Sequence, residues 1–170
     1  VLEMENNRAN KDSKIFNKPV FSDNFQYLEA ERLGPRTINA ISDYQVGEHR
    51  QLGTAGEYVA HFLAVYYHEK VFNDKLQHPK ADGMDIRSQV RAWLHEVSPG
   101  TQFHVDVHPE MDLVNLRYSF VTGKQVSNQY RSTAVGFGIT YTLPVLVAVL
   151  SSRPGSLLLV ENPEAHLHPQ

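Results

Sequence analysis

The run Ser156-Leu157-Leu158-Leu159-Val160-Glu161 constrains this chain more than any other segment. Arg153-Pro154-Gly155 breaks regular structure just before it, and Asn162-Pro163 follows it. The run is too short for an ordinary helix and is apolar up to its closing acid. That is the pattern of a central strand buried on both faces, as in α/β sheets. Such a strand delivers the Glu161 carboxylate to the C-terminal edge of the sheet, where α/β folds place their ligands. An acid there can hold Mg2+ on bound phosphates, directly or through water. The plainer alternative is a core strand that ends in a solvated acid.

Upstream, residues 132–150 begin with glycines and become a strongly apolar helix. Pro144 inside it predicts a kink or a late start. Gly136 and Gly138 allow unusual dihedrals and a close approach to a ligand. They fall at the expected helix start, where free amides and the dipole favour an anion. The helix and the strand are each about 20 Å long by their rises. A helix running out and a strand running back therefore bring Gly138 and Glu161 to one edge.

The rest of the chain reads as mixed helix and strand. Residues 1–20 form a polar lead-in, and 25–30 a short strand that Gly34-Pro35 ends. Thr54 and Glu57 have capping-box spacing, and helical periodicity continues from there to about Leu76. Asp85 caps a second helix over 86–97, which Ser98-Pro99-Gly100 stops. Strands follow at 103–108 and 113–121, then a turn at Thr122-Gly123-Lys124. The expected fold class is α/β or α+β, with a helical subdomain at about 54–98.

Composition removes several function classes. A length of 170 residues suffices for one ordinary domain with a core. A formal net charge of -3 excludes a strongly basic nucleic-acid module, though not a local basic patch. With 0 cysteines there are no disulfides, thiolate zinc sites or cysteine nucleophiles, which fits a reducing, cytoplasmic setting. The longest apolar run, residues 143–150, falls far short of the roughly 20 residues of a membrane span.

Residues 156–170 resemble the Walker B and D-loop region of ABC-type ATPases. The branch they are similar to is the RecF-, SMC- and OLD-like group of bacterial AAA-labelled ATPases, with the pattern E-E/N-P-E-x-H-L-H-P after an apolar strand. Val135-Gly136-Phe137-Gly138-Ile139-Thr140-Tyr141-Thr142-Leu143-Pro144 resembles the same branch's G-x-G-x-S/T-x-x-L-P stretch, which stands where transporter ATPases carry their signature motif. Glu29-Ala30-Glu31-Arg32-Leu33-Gly34-Pro35-Arg36 and Gly53-x-x-Gly56-Glu57 are similar to further segments of it. The resemblance covers roughly residues 25–170.

It implies a P-loop NTPase-like head that acts as a homodimer with Mg-ATP at the interface. Glu161 would hold the magnesium shell. Gly136, Phe137, Gly138 and Thr140 would close on the γ-phosphate of ATP bound by the second subunit. His166 and His168 would belong to the loop that meets that subunit. The branch is commonly linked to DNA transactions or defence against phage, but no residue here marks a DNA site.

Two departures matter. A phosphate-binding loop needs G-x-x-x-x-G-K-S/T. The sole Gly-Lys pair, Gly123-Lys124, has Tyr118 where the first glycine belongs and Gln125 where the hydroxyl belongs. The start at Val1 and a motif running into His168-Pro169-Gln170 predict a piece of a larger head, with its P-loop further N-terminal. Secondly, Asn162 stands where many ABC-type ATPases place the glutamate that polarises the attacking water. Asparagine orients a water but takes no proton. The base is then Glu164 or a group outside the chain, or hydrolysis is slow.

Other groups carry weaker signals. His104, Asp106 and His108 share one face of a strand, a spacing open to a metal, but also to an ordinary half-buried strand. Glu164, His166 and His168 form a second such set. Arg32 and Arg36 read as solvated charges beside a turn, or as groups facing phosphate or a partner. The aromatic residues Tyr58, Phe62, Tyr66, Tyr67 and Phe72 read as packing. Besides an ATPase, a histidine metal module and a non-hydrolysing scaffold stay open.

Overall fold

The computed structural model describes residue 22 and residues 24–167. The fold is mixed α and β. Its strands are β1 (Phe25–Leu28), β2 (Asn39–Ala40), β3 (Thr101–His108), β4 (Leu113–Thr122), β5 (Gln125–Val126), β6 (Tyr130–Arg131) and β7 (Leu157–Val160). Its helices are α1 (Val59–Tyr66), α2 (Ile86–Val97) and α3 (Phe137–Ser151). No helix among the described residues is long and apolar enough to cross a membrane.

Two sheets organise these elements. β1 pairs in parallel with β7, in the register Tyr27↔Leu159 and Leu28↔Val160. β4 is the spine of an antiparallel sheet, flanked by β3 along one edge and by β2, β5 and β6 along the other parts of its length. The helices pack between the sheets. Leu28, Phe62, Leu63, Val90, Leu94, Phe103, Leu143 and Val147 all belong to one buried core.

α2 forms where its local signals place it. The Asp85 carboxylate accepts from the Ser88 amide at 3.0 Å and from its hydroxyl at 2.7 Å, satisfying orphan donors of the first turn. Gly100, at φ 81, ends the turn that follows and packs against the Val121 carbonyl. A Cβ there would sit 2.4 Å from that oxygen, so only glycine fits.

The long helix expected from Thr54 to Leu76 does not form. Gly53 and Gly56 have φ of 79 and 75, so the chain is still turning where the capping box would start. Glu57 bonds the Ala55 amide at 3.0 Å instead. α1 begins at Val59 without a side-chain cap and ends at Tyr66. Beyond it, Val71 donates to the Met84 carbonyl and Ile86 to the Glu69 carbonyl. Pairing with the segment before α2 buries Val71 completely, and that tertiary contact overrides helical spacing.

α3 starts at Phe137 with Gly136 as its N-cap and runs on through Pro144, so there is no late start. The Pro144 ring lies over Gly56, where a Cβ would approach it to 3.0 Å.

β7 departs most from expectation. It is not buried on both faces: Leu157 is 44% and Leu159 52% exposed. β1 is its only partner strand among the described residues. Leu158 and Val160 face the core, while Phe25, Tyr27, Leu157 and Leu159 share the uncovered face by register.

Candidate functional site

The C-terminal ends of β1 and β7 lie side by side, and the chain leaving each one meets the start of α3. Arg32 ties the three together. Its Nε donates to the Tyr141 carbonyl at 3.1 Å. One terminal nitrogen donates to the carbonyls of Glu29 at 3.2 Å and Glu161 at 2.7 Å, and the other to that of Asn162 at 2.7 Å. The side chain is 2% exposed. It is therefore neither a solvated charge nor a phosphate ligand but a structural cation whose donors end on carbonyls. Burial pushes its guanidinium below the ordinary value, and the neighbourhood of Tyr141 and Glu164 opposes that. Arg36, by contrast, is exposed.

The Glu161 carboxylate points away from Arg32. One oxygen accepts from the Tyr27 hydroxyl at 2.8 Å and the other from the Ala30 amide at 3.2 Å. These bonds fix its orientation, and each oxygen keeps lone-pair capacity for a further partner. In turn the carboxylate holds the Tyr27 phenol above its usual value, by hydrogen bond first and by burial and charge after that. An exposed, oriented carboxylate at a strand end fits a Mg2+ held mainly by phosphates and water. Among the described residues no group of three metal-capable side chains is assembled, around Glu161 or elsewhere.

Asn162 turns the chain with φ 42, and a second left-handed residue, His166, has φ 62. Asparagine tolerates that region better than most residues. Asn162 and Glu164 are both exposed. The turn folds back onto α3. A Cβ on Gly138 would come within 2.9 Å of the His166 carbonyl, and the His166 ring lies 4.2 Å from that of Tyr141 and 5.8 Å from that of Phe137. Gly136 has nothing within 4 Å of a built Cβ, so its open side faces outward. The Thr140 hydroxyl donates to the Phe137 carbonyl at 3.0 Å. His168 lies outside the described residues.

The structure thus brings Glu161, Asn162, Gly138, Phe137 and His166 to one edge. Sequence reasoning missed Tyr27 and Tyr141. Alternation along β1 puts Tyr27 on the same face as Phe25, but only the parallel pairing with β7 shows that it meets Glu161.

The histidine face of β3 is used internally. His104 Nε2 lies 2.8 Å from the Ser119 hydroxyl, and His108 Nε2 3.1 Å from the Asn115 amide. Of the aromatics expected to pack, Phe62 is buried, whereas Phe72 lies beyond the end of α1 and is 48% exposed. Phe62 and Tyr66 pair at 4.7 Å, and the Tyr66 hydroxyl donates to the Val46 carbonyl at 3.0 Å.

No family model, curated protein or solved structure matches this chain. The functional reading therefore rests on the geometry and motifs themselves.

Proposed function

We propose that this chain supplies the magnesium-side acid and the glycine-bearing helix of an ABC-type ATP-hydrolysing head. The observation that carries the reading is the contact of Gly138 with the His166 carbonyl, beside a strand end whose acid is held outward. Two motifs separated in sequence meet at one edge, as a nucleotide site needs.

In this reading Glu161, oriented by Tyr27 and Ala30, holds the magnesium shell. Magnesium neutralises charge that develops on the phosphates. Asn162 orients the attacking water, and exposed Glu164 is the nearby carboxylate able to accept its proton. The first-turn amides of α3, at Phe137 and Gly138, have no intrahelical acceptors and face the γ-phosphate of ATP held by a second copy. Thr140 shapes that turn through its bond to Phe137. His166, and His168 beyond it, meet the second copy. The phosphate-cradling loop and its lysine come from a segment other than these residues, because no G-x-x-x-x-G-K-S/T occurs in them.

The test is Mg-dependent ATP turnover by the natural protein that contains this chain. Glu161→Gln is expected to lower kcat by about 100-fold or more with nucleotide binding retained. The isolated 170 residues are expected to turn over no ATP. The reading fails if the natural protein neither binds nor hydrolyses ATP, or if Glu161→Gln leaves kcat unchanged.

A further inference from the structure

The antiparallel sheet has one long open edge. β4 pairs along all of β3, from Thr101↔Phe120 to His108↔Leu113, and no strand among the described residues lies beyond β3. The Gly100 carbonyl accepts from the Val121 amide at 2.8 Å. In an antiparallel ladder this phase directs the even-numbered residues of β3 toward β4 and the odd-numbered ones outward. Two bonds agree with it: Thr101 donates to the Ser98 carbonyl at 3.1 Å, and Arg91 donates to the Phe103 carbonyl at 3.2 Å. Those bonds close one end of the edge. The N–H and C=O of Val105 and Val107 stay without partners among the described residues.

Open edges usually carry lysine, proline or a bulge that blocks pairing. β3 has none of these within its span. Instead the edge borders a groove of about 280 Å³ lined by Leu63, Tyr67, Arg87, Phe103, Val105 and Val107. Val107 is 42% exposed. Arg87 stands at the groove with the Tyr67 ring 5.8 Å from its guanidinium, and no carboxylate pairs with it among the described residues.

We propose that the β3 edge binds an extended peptide as an added strand. Its apolar side chains enter the groove, and an acidic residue on the same face meets Arg87. Main-chain bonds to Val105 and Val107 give the pairing, and the groove with its unpaired arginine gives the selection. Charge favours this occupant over a second copy of the chain. The acid of β3, Asp106, lies on the face opposite the groove, so a β3–β3 pairing brings arginines together without a carboxylate between them. The surface lies on the antiparallel sheet and does not depend on the nucleotide reading.

The probes are fluorescein-labelled heptapeptides of alternating threonine and valine. One valine-face position, near either end, is replaced by glutamate, or by glutamine as control. With the purified full chain, a glutamate peptide is expected to give saturable polarisation and to slow amide exchange at Val105 and Val107. Arg87→Glu should weaken binding at least about tenfold, and Val107→Pro should abolish it. The Val107 amide points outward, so proline there removes no bond of the β3–β4 ladder. The proposal is overturned if no glutamate peptide binds, if glutamine peptides bind equally well, or if both variants bind as the parent does. Concentration-dependent dimerisation that slows exchange at Val105 and Val107 without peptide would assign the edge to a second copy and overturn it as well.

Discussion

Arg32 donates to the main-chain carbonyl of Glu161 at 2.7 Å, while the Glu161 carboxylate turns away to Tyr27. The cation holds the strand end in place without consuming the acid. Replacing Arg32 removes a donor from the carbonyls of Glu29, Tyr141, Glu161 and Asn162 at once, and that of Asn162 keeps only the Ala165 amide. Arg32→Ala is expected to cost about 2–4 kcal/mol in urea unfolding. Arg32→Lys should recover little, because a single ammonium cannot span three elements as the planar fork does. A lysine variant of parental stability would refute the hub role.

Tyr27 and Glu161 form the second relationship to test. The phenol titrates above its ordinary value because the carboxylate accepts its proton and opposes phenolate. In Glu161→Gln the charge disappears and the Tyr27 titration should move down toward the usual tyrosine range. Ultraviolet titration of parent and variant reads this shift directly, with Tyr27→Phe identifying the signal. No change in the Tyr27 titration would show that the carboxylate is held by other groups.

How far the sequence leads depends on whether a signal is local. Asp85 caps α2 and Gly100 ends the turn beyond it because both effects act within a few residues. The capping-box spacing of Thr54 and Glu57 misleads, since Gly53 and Gly56 take positive φ, with the Glu57 side chain against Gly53 and Pro144, far along the chain, packed over Gly56. Helical periodicity beyond Tyr66 fails for the same reason: Val71 and Glu69 pair with residues 84 and 86. The convergence of Gly138 with the chain after β7 was legible from helix and strand lengths. The burial of Arg32 was not, because its acceptors are main-chain carbonyls and leave no mark on side-chain spacing. The apolar run of β7 reads as fully buried, yet Leu157 and Leu159 lie on an uncovered face; composition alone does not say which layers cover a strand.

The two glycines of the α3 start should separate cleanly. A Cβ on Gly138 meets the His166 carbonyl at 2.9 Å, and one on Gly136 meets nothing within 4 Å. Gly138→Ala gains about 1 kcal/mol of helix propensity, opposed by that clash, so its net stability change is expected to be small. The diagnostic is the 162–167 turn. NMR shifts of the His166 ring, which now feels the Tyr141 ring at 4.2 Å, should move in Gly138→Ala and stay in place in Gly136→Ala. Equal His166 shifts in both variants would show that the turn does not rest on Gly138.

His61 should set an acid limit on stability. It is 4% exposed, and its Nδ1 accepts from the Ser42 amide at 3.1 Å. This fixes the neutral tautomer with the proton on Nε2, which lies 3.6 Å from Asp43. Burial pushes its pKa below the ordinary value, against a smaller opposing effect of the Asp43 carboxylate. The folded pKa thus lies below the unfolded one of about 6.5. Below that pH the unfolded chain binds the proton first, so the contribution is complete above about pH 6.5 and is lost as pH falls through the folded pKa. Urea midpoints measured from pH 7.5 down to pH 5 should fall more steeply for the parent than for His61→Gln. Parallel curves would place the acid sensitivity elsewhere, with His104, also lowered by burial, as the next residue to substitute.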